Sequence, residues 1–182
     1  GQRAVELSRA GAPALGVELS TAPDGELLAR SNHVLKSYWD QPEETEKALT
    51  DGWFHTGDGA TIGDDKYATI TDRKKDVIIS GGENVSSIEV EDALFSHPAV
   101  AEAAVIGVPH EKWGETVKAL VVCTDTSITE NDLIDHCREL LAHYKCPTSV
   151  EFRHELDRTA TGKLQKFKLR APYWEHMDRQ IN

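Results

Sequence analysis

Apolar and polar positions follow two different rhythms along this chain, and the rhythm changes near residue 72. Before that point short apolar runs alternate with turn residues. Residues 15–19 and 26–31 read as strands around the turn Ala22-Pro23-Asp24-Gly25. Residues 42–49 read as a short helix, with Pro42 at its start and Glu43 and Glu44 in the first turn, where the helix dipole favours negative charge. Asp51-Gly52 is a turn. Thr61-Ile62 and residues 67–71 predict a hairpin across Gly63-Asp64-Asp65-Lys66. This first part has little apolar core of its own and exposes several aromatics.

The second part reads differently. Residues 77–80 are a short apolar strand ending at Gly81-Gly82. Ser86 or Ser87 caps a helix running to about Phe95, with Ile88, Val90, Leu94 and Phe95 apolar. Residues 100–108 and 117–123 read as buried strands. Thr129 caps the next helix with Asp132 at its third position, a capping box with Asp in place of Glu. Leu133, Ile134, Cys137, Leu140 and Leu141 form that helix's apolar stripe. Pro147 precedes a last strand at 149–152, and a short helix follows near 167–171. The order predicts an α+β protein. Residues 72–182 would form a small domain with a short mixed or antiparallel sheet and flanking helices. Residues 1–71 would be a β-rich remnant of a larger domain.

Composition sets limits on this picture. Of 182 residues, 39% are apolar and 28% charged, and the formal net charge is -11, so wrapping nucleic acid is disfavoured. No apolar stretch is long enough to span a membrane. Cys123, Cys137 and Cys146 are an odd count with no CxxC pair, which predicts a reduced, cytoplasmic setting and thiols that act as small apolar residues. The opening Gly1-Gln2-Arg3 has no apolar signal core and no starting methionine, so a piece of a longer chain is expected.

Against an acidic background, one cationic loop stands out: Arg158-Thr159-Ala160-Thr161-Gly162-Lys163-Leu164-Gln165-Lys166. A lysine beside a glycine at an exposed turn brings a positive charge close to an anion and can neutralise charge that develops during a reaction. A P-loop is rejected, because Asp157 stands where its first glycine belongs and Leu164 where its hydroxyl belongs. A surface turn of solvated lysines stays open. Trp53-Phe54-His55-Thr56-Gly57-Asp58 places a carboxylate beside aromatics, suited either to vicinal sugar hydroxyls or to capping a turn. His55 has no visible partner and reads as structural. Asp72-Arg73-Lys74-Lys75-Asp76 is either a solvated linker or a hinge whose Arg73 offers a planar fork to phosphate or ribose oxygens. Gly81-Gly82 permits close approach of a ligand, or is a plain turn. His110-Glu111-Lys112-Trp113-Gly114 lacks the second histidine of HExxH, and neither metal-spaced clusters nor GxSxG occur, so no metal site is assigned.

Taken in order, Gly52-Trp53-Phe54-His55-Thr56-Gly57-Asp58, the run from Asp72 to Val85 and the loop ending Thr161-Gly162-Lys163 resemble the adenylate-forming enzymes. That superfamily includes acyl- and aryl-CoA ligases, peptide-synthetase adenylation domains and beetle luciferases. The resemblance runs from about residue 16 to 171, and the stretch from Gly107 to Glu115 looks most like acyl-CoA ligases of medium- or long-chain fatty and aromatic type. It implies an ATP- and Mg2+-dependent ligase that forms an acyl-adenylate from a carboxylic acid and then a thioester with coenzyme A. Asp58 is implied to bind the ribose hydroxyls, Arg73 ribose or phosphate, and Lys163 to bridge acyl carboxylate and nucleotide. Asp72 is the implied hinge. Gly81 and Gly82 would line the pantetheine tunnel, with Trp113 flanking CoA. The family's phosphate loop, acyl pocket and magnesium-binding Glu segment are absent here, so the missing large domain is an implied partner and this chain alone is expected to be inactive. Asp157 stands where proline is common, and Asp65-Lys66 replaces a common Asp/Glu-Gly turn. A carrier-protein loader and a non-catalytic interaction module that kept the fold are the rival expectations.

Overall fold

The computed structural model describes residues 10–160 and 162–175; the opening tripeptide and Thr161 lie outside them. The chain divides into two compact units, Gly1–Lys75 and Asp76–Asn182.

The first unit is an antiparallel sheet with one short helix. Its elements are β1 (Glu18–Thr21), β2 (Glu26–Arg30), α1 (Pro42–Ala48), β3 (Leu49–Thr50), β4 (Trp53–Ile62) and β5 (Ala68–Arg73). The order is β1-β2-β4, with β3 and β5 each pairing with β4. β1 begins later than its apolar pattern suggests, because Gly16 at φ +79 and a turn from Val17 N–H to Ala14 O keep residues 15–17 out of the ladder. The expected hairpin forms, closed by Gly63 N–H to Tyr67 O at 3.0 Å. Lys66 sits in its turn at φ +66, a left-handed conformation that costs a side-chain-bearing residue about 1–2 kcal/mol. The strands of this hairpin run further than expected. β4 absorbs the whole stretch from Trp53 to Asp58, and β5 absorbs Asp72 and Arg73, which the sequence assigns to a charged linker.

Among the described residues of this unit the buried positions are few: Ala60, Ala68, Glu26 and Asp72. What organises its centre is therefore polar. The Glu26 carboxylate accepts from Gly57 N–H at 2.8 Å, His55 Nδ1 at 2.9 Å and Lys74 Nζ at 3.0 Å. Lys74 also pairs with Asp24 at 2.8 Å. Burial of Glu26 opposes its ionisation, but these three donors outweigh burial and hold its carboxyl below the usual range. Asp24 is held low by Lys74 and by the Glu26 amide, and Lys74 is held high by Asp24 and Glu26.

The second unit comprises β6 (Ile78–Ser80), β7 (Glu83–Val85), α2 (Ser87–Phe95), β8 (Val100–His110), β9 (Gly114–Cys123), α3 (Glu130–Leu140), a 3-10 turn His143–Lys145, β10 (Ser149–Phe152) and α4 (Lys166–Trp174). The sheet is mixed: β9 pairs antiparallel with β8 and β6, and parallel with β10. Side chains alternate across a strand, and here both faces are covered. Ala103, Val105, Val117, Ala119 and Val121 face one core with Val90, Leu94, Leu133 and Cys137 of α2 and α3. Ala104, Ile106, Val108 and Leu120 face a second core with Leu156 and Leu169. Two covered faces explain why these strands read as unbroken apolar runs. Among the described residues β8 is paired on one edge only, which accommodates Pro109. Ser86 Oγ caps α2 by accepting from Glu89 N–H, and the Thr129–Asp132 capping box closes α3 as expected. The α3 stripe is narrower than expected: Leu133, Ile134 and Cys137 are buried and Leu141 packs partly buried against them, but Leu140 is 55% exposed at the final turn.

Two outcomes follow from this packing. Leu133→Ala should cost about 2–5 kcal/mol in urea unfolding, whereas Leu140→Ala stays within about 0.5 kcal/mol; equal losses would contradict the assigned core. The second concerns pH. Glu26 and Asp24 have folded values below their unfolded ones, so their contribution is present above the unfolded value and is lost as pH falls through the folded value. Lys74 contributes in the opposite sense, below the usual lysine range, and loses that contribution as pH rises through its raised value. Unfolding free energy should therefore drop between about pH 5 and 3, and Glu26→Gln should flatten that drop. An unchanged acid limb in the variant would show that the carboxylate is not the cause.

Candidate functional site

In the first unit, Asp58 on β4 and Arg73 on β5 are cross-strand partners, so the sheet itself sets them side by side. Arg73 Nε lies 3.3 Å from Asp58 Oδ1, and both side chains are about one third exposed. β4 bulges here: Glu26 pairs with Gly59 and Leu28 with His55, so four steps on β4 answer two on β2. The bulge is pinned from both sides. Thr56 Oγ1 donates to Leu27 O at 2.8 Å and accepts from Asp58 N–H at 3.2 Å, while Gly57 N–H donates to Glu26. Thr56, Gly57, Asp58, Arg73, Lys74 and Lys75 line a cavity of about 380 Å³. One carboxylate among three cations suits a ligand carrying both hydroxyls and negative charge. His55 has the partner that the sequence could not show, Glu26, twenty-nine residues away. Asp72 is 3% exposed inside β5, and its Oδ1 accepts from Arg73 N–H at 2.7 Å.

In the second unit, Gly81 and Gly82 are the two central residues of the hairpin between β6 and β7, at φ +61 and φ +91. A two-residue turn with both φ positive matches strand twist and favours glycine. β7 itself is short and mostly polar, Glu83-Asn84-Val85, so the paired glycines are the only hairpin signal that the sequence offers for it. Gly81 N–H donates to Trp113 O at 3.0 Å. Trp113 occupies the turn joining β8 to β9, is 41% exposed, and stacks on His110 with ring centroids 4.4 Å apart.

Lys163 stands elsewhere on the same unit, in a loop closed by the bridge between Arg158 and Leu164. Thr159 organises the tip: its N–H donates to Lys163 O at 2.8 Å, its carbonyl accepts from Gly162 N–H at 2.8 Å, and its hydroxyl accepts from Lys163 N–H at 3.1 Å. Arg158 donates to Gly162 O at 2.8 Å and pairs with Glu102 at 2.7 Å. Lys166 pairs with Glu91 at 2.7 Å. The Lys163 side chain is exposed, and among the described residues its ammonium has no ion-pair partner. Three cations thus occupy nine positions, two of them neutralised by the chain and one without an ion-pair partner among the described residues.

Other candidate chemistry recedes. Burial, reinforced by Cys146, pushes the Cys137 thiol up to about 11, and burial likewise raises Cys123 and Cys146, so none is a ready nucleophile. Among the described residues no group of three or more His, Cys, Asp or Glu side chains is placed to hold a metal, and no helix is long and apolar enough to cross a membrane.

The AMP-binding enzyme C-terminal domain family matches residues 89–163. A long-chain-fatty-acid–CoA ligase of Mycobacterium tuberculosis is 45% identical over 150 residues, covering 82% of this chain and 30% of that protein. A feruloyl-CoA synthase of Amycolatopsis is 47% identical over 150 residues, again 82% of this chain and 30% of the relative. Among solved structures, the o-succinylbenzoate CoA synthetase of Bacillus subtilis in complex with its acyl-adenylate intermediate superposes with a TM-score of 0.84 at 35% identity, covering 91% of this chain and 36% of that one. The chain thus spans about 30% of the length of the curated relatives it matches. Residues 89–163 thus belong to the AMP-binding enzyme C-terminal domain family, and the chain as a whole is similar to the C-terminal part of the adenylate-forming enzymes.

Proposed function

We propose that this chain is the C-terminal part of an ATP-dependent acyl-CoA ligase. The reading rests on the exposed ammonium of Lys163, which has no ion-pair partner among the described residues, on a loop whose other two cations are neutralised. In the first half-reaction a carboxylate oxygen attacks the α-phosphorus of ATP, pyrophosphate leaves, and negative charge accumulates where a lysine can offset it. In the second, the thiol sulfur of CoA attacks the acyl carbon and AMP leaves. Asp58 is assigned to the ribose hydroxyls and Arg73 to ribose or phosphate oxygens; their pairing in one solvent-open cavity supports this. Magnesium would accompany the nucleotide, with its ligands mostly outside this chain. Gly81, Gly82 and Trp113 are assigned to the pantetheine path, where absent side chains leave room for a narrow thiol arm.

The two half-reactions need different groups at one carbon, and a turning second unit would supply each set in turn. Residues 72–76 carry the pivot in this reading. Asp72 and Arg73 are paired in β5, and Lys74 is held by Gly57 O, Asp24 and Glu26, so the torsions free of strand pairing begin at Lys75. The carboxylic acid substrate is of fatty or aromatic type, as in the relatives' names, and a cytoplasmic setting fits three free thiols.

Two measurements test the assignment in the full-length ligase. Lys163→Ala should lower pyrophosphate exchange by about 100-fold or more; exchange near the parent rate would refute the role. Gly81→Trp should slow thioester formation from supplied acyl-adenylate more than it slows adenylate formation. Equal loss in both steps would remove the glycines from the thiol path.

A further inference from the structure

The helix that follows the lysine loop is seated by charge. Lys166 and Arg170 are four residues apart on α4 and share one face. Lys166 Nζ pairs with Glu91 Oε1 at 2.7 Å and donates to Ser87 Oγ at 2.6 Å. Arg170 pairs with Glu115 Oε1 at 2.8 Å. The four side chains are only 12–18% exposed, unlike the Arg158–Glu102 pair at 37–39%. Replacing buried ion pairs with apolar residues is often neutral or stabilising, so stability alone does not account for them. Two further polar atoms of this seat, Gln165 Oε1 and Arg170 Nε, are buried without a hydrogen-bond partner among the described residues. Such groups cost stability and call for an explanation.

Each pair leads to a different functional element. Lys166 lies three residues past Lys163, and Gln165 N–H closes the base of the loop on Asp157 O at 2.9 Å. Glu91 is itself fixed, since the same Oε1 accepts from Val105 N–H at 2.7 Å on β8. The lysine loop is thereby referred to α2 and the central sheet. Glu115 leads the other way. Its Oε2 accepts from Ile79 N–H at 3.4 Å on β6, two residues before Gly81. Ser80 pairs with Gly114, next to Glu115, and Gly81 N–H reaches Trp113 O. A Cβ on Gly107 would collide with the Glu115 carboxylate, so that glycine opens the slot in which the carboxylate lies.

We propose that these are two positioning pairs with separate duties: Lys166–Glu91 sets the Lys163 loop for adenylate formation, and Arg170–Glu115 sets the Gly81–Gly82 turn for thioester formation. The inference rests on the ligase reading above. α4 then acts as a strut between the two elements, and neither pair touches substrate.

The test uses two charge-free double variants of the full-length ligase, beside Lys163→Ala. In Lys166→Met/Glu91→Gln the glutamine oxygen can still accept from Val105, and in Arg170→Met/Glu115→Gln it can still accept from Ile79. Pyrophosphate exchange reads adenylation, supplied acyl-adenylate with CoA reads thioester formation, and amide hydrogen exchange reads the elements themselves. The first variant should lose about 10- to 100-fold in adenylation with thioester formation preserved, and the second should show the reverse. Amides of Lys163 and Gln165 should exchange faster only in the first, and Lys166→Arg with Glu91 unchanged should keep both rate and protection. If a double variant does not fold, Lys166→Gln/Glu91→Gln and Arg170→Gln/Glu115→Gln, which remove both charges but keep polar partners, carry the same expectation in smaller measure. Parallel loss of both half-reactions in each variant, or no loss in either while Lys163→Ala is impaired, overturns the positioning pairs alone. An unimpaired Lys163→Ala overturns the ligase reading and the pairs with it.

Discussion

A lysine can serve an incoming anion only if its own chain has not already neutralised it. The chain carries a formal net charge of -11, most basic side chains among the described residues pair with an acidic one, and the loop around Lys163 shows how one avoids this. Arg158 is drawn to Glu102 and to the carbonyl of Gly162, Lys166 is drawn inward to Glu91, and Lys163 between them is left projecting. Thr159 stiffens the tip through its amide, carbonyl and hydroxyl. Fixing a flexible lysine's backbone while leaving its ammonium free lowers the ordering cost of meeting a ligand without losing the charge.

That loop needs a rigid base, and the second unit supplies one. A sheet with two apolar faces holds α2 and α3 on one side and α4 on the other. Leu164, the residue after Lys163, packs partly buried into the α4-side core with Leu156 and Leu169. The charge and its apolar anchor are therefore adjacent in sequence. The first unit follows another logic. Its described core is thin, and a buried carboxylate, Glu26, ties together strand β2, the bulge beside Asp58 and Lys74 at the unit's end. Its centre depends on hydrogen bonds and ion pairs rather than on packing, so acid weakens it by protonating Glu26.

Much of this was legible in the sequence, for identifiable reasons. Helix ends announce themselves locally: Ser86 and the Thr129–Asp132 box lie within three residues of what they cap. The long strands announced themselves by continuous apolar runs. The misreadings occurred where tertiary context outweighed local chemistry. Trp53 to Asp58 and Asp72-Arg73 look like turn and linker because they are polar and glycine-bearing, yet pairing between β4 and β5 makes strands of them. β7 is three residues long, too short for any period to show. Leu140 fits the stripe of α3 by spacing, yet it is left exposed while its neighbour Leu141 packs partly buried against the core. Among candidate site residues, Asp58, Arg73, Gly81, Gly82, Trp113 and Lys163 were picked out by their neighbours in sequence. Glu26, Glu91 and Glu115 were not, since an isolated glutamate carries no sign of the partner 48, 75 or 55 residues away that gives it a role.

Whether the projecting ammonium meets the reacting anion can be measured without following turnover. Amine-reactive labelling of the full-length ligase, quantified lysine by lysine by mass spectrometry, reports which ammonium groups are open at each stage. The account requires Lys163 to label readily in the free enzyme, to become protected when ATP and a carboxylic acid substrate are added, and to reopen with CoA, while Lys166 stays unreactive throughout. A Lys163 labelling rate indifferent to nucleotide and acid would contradict it.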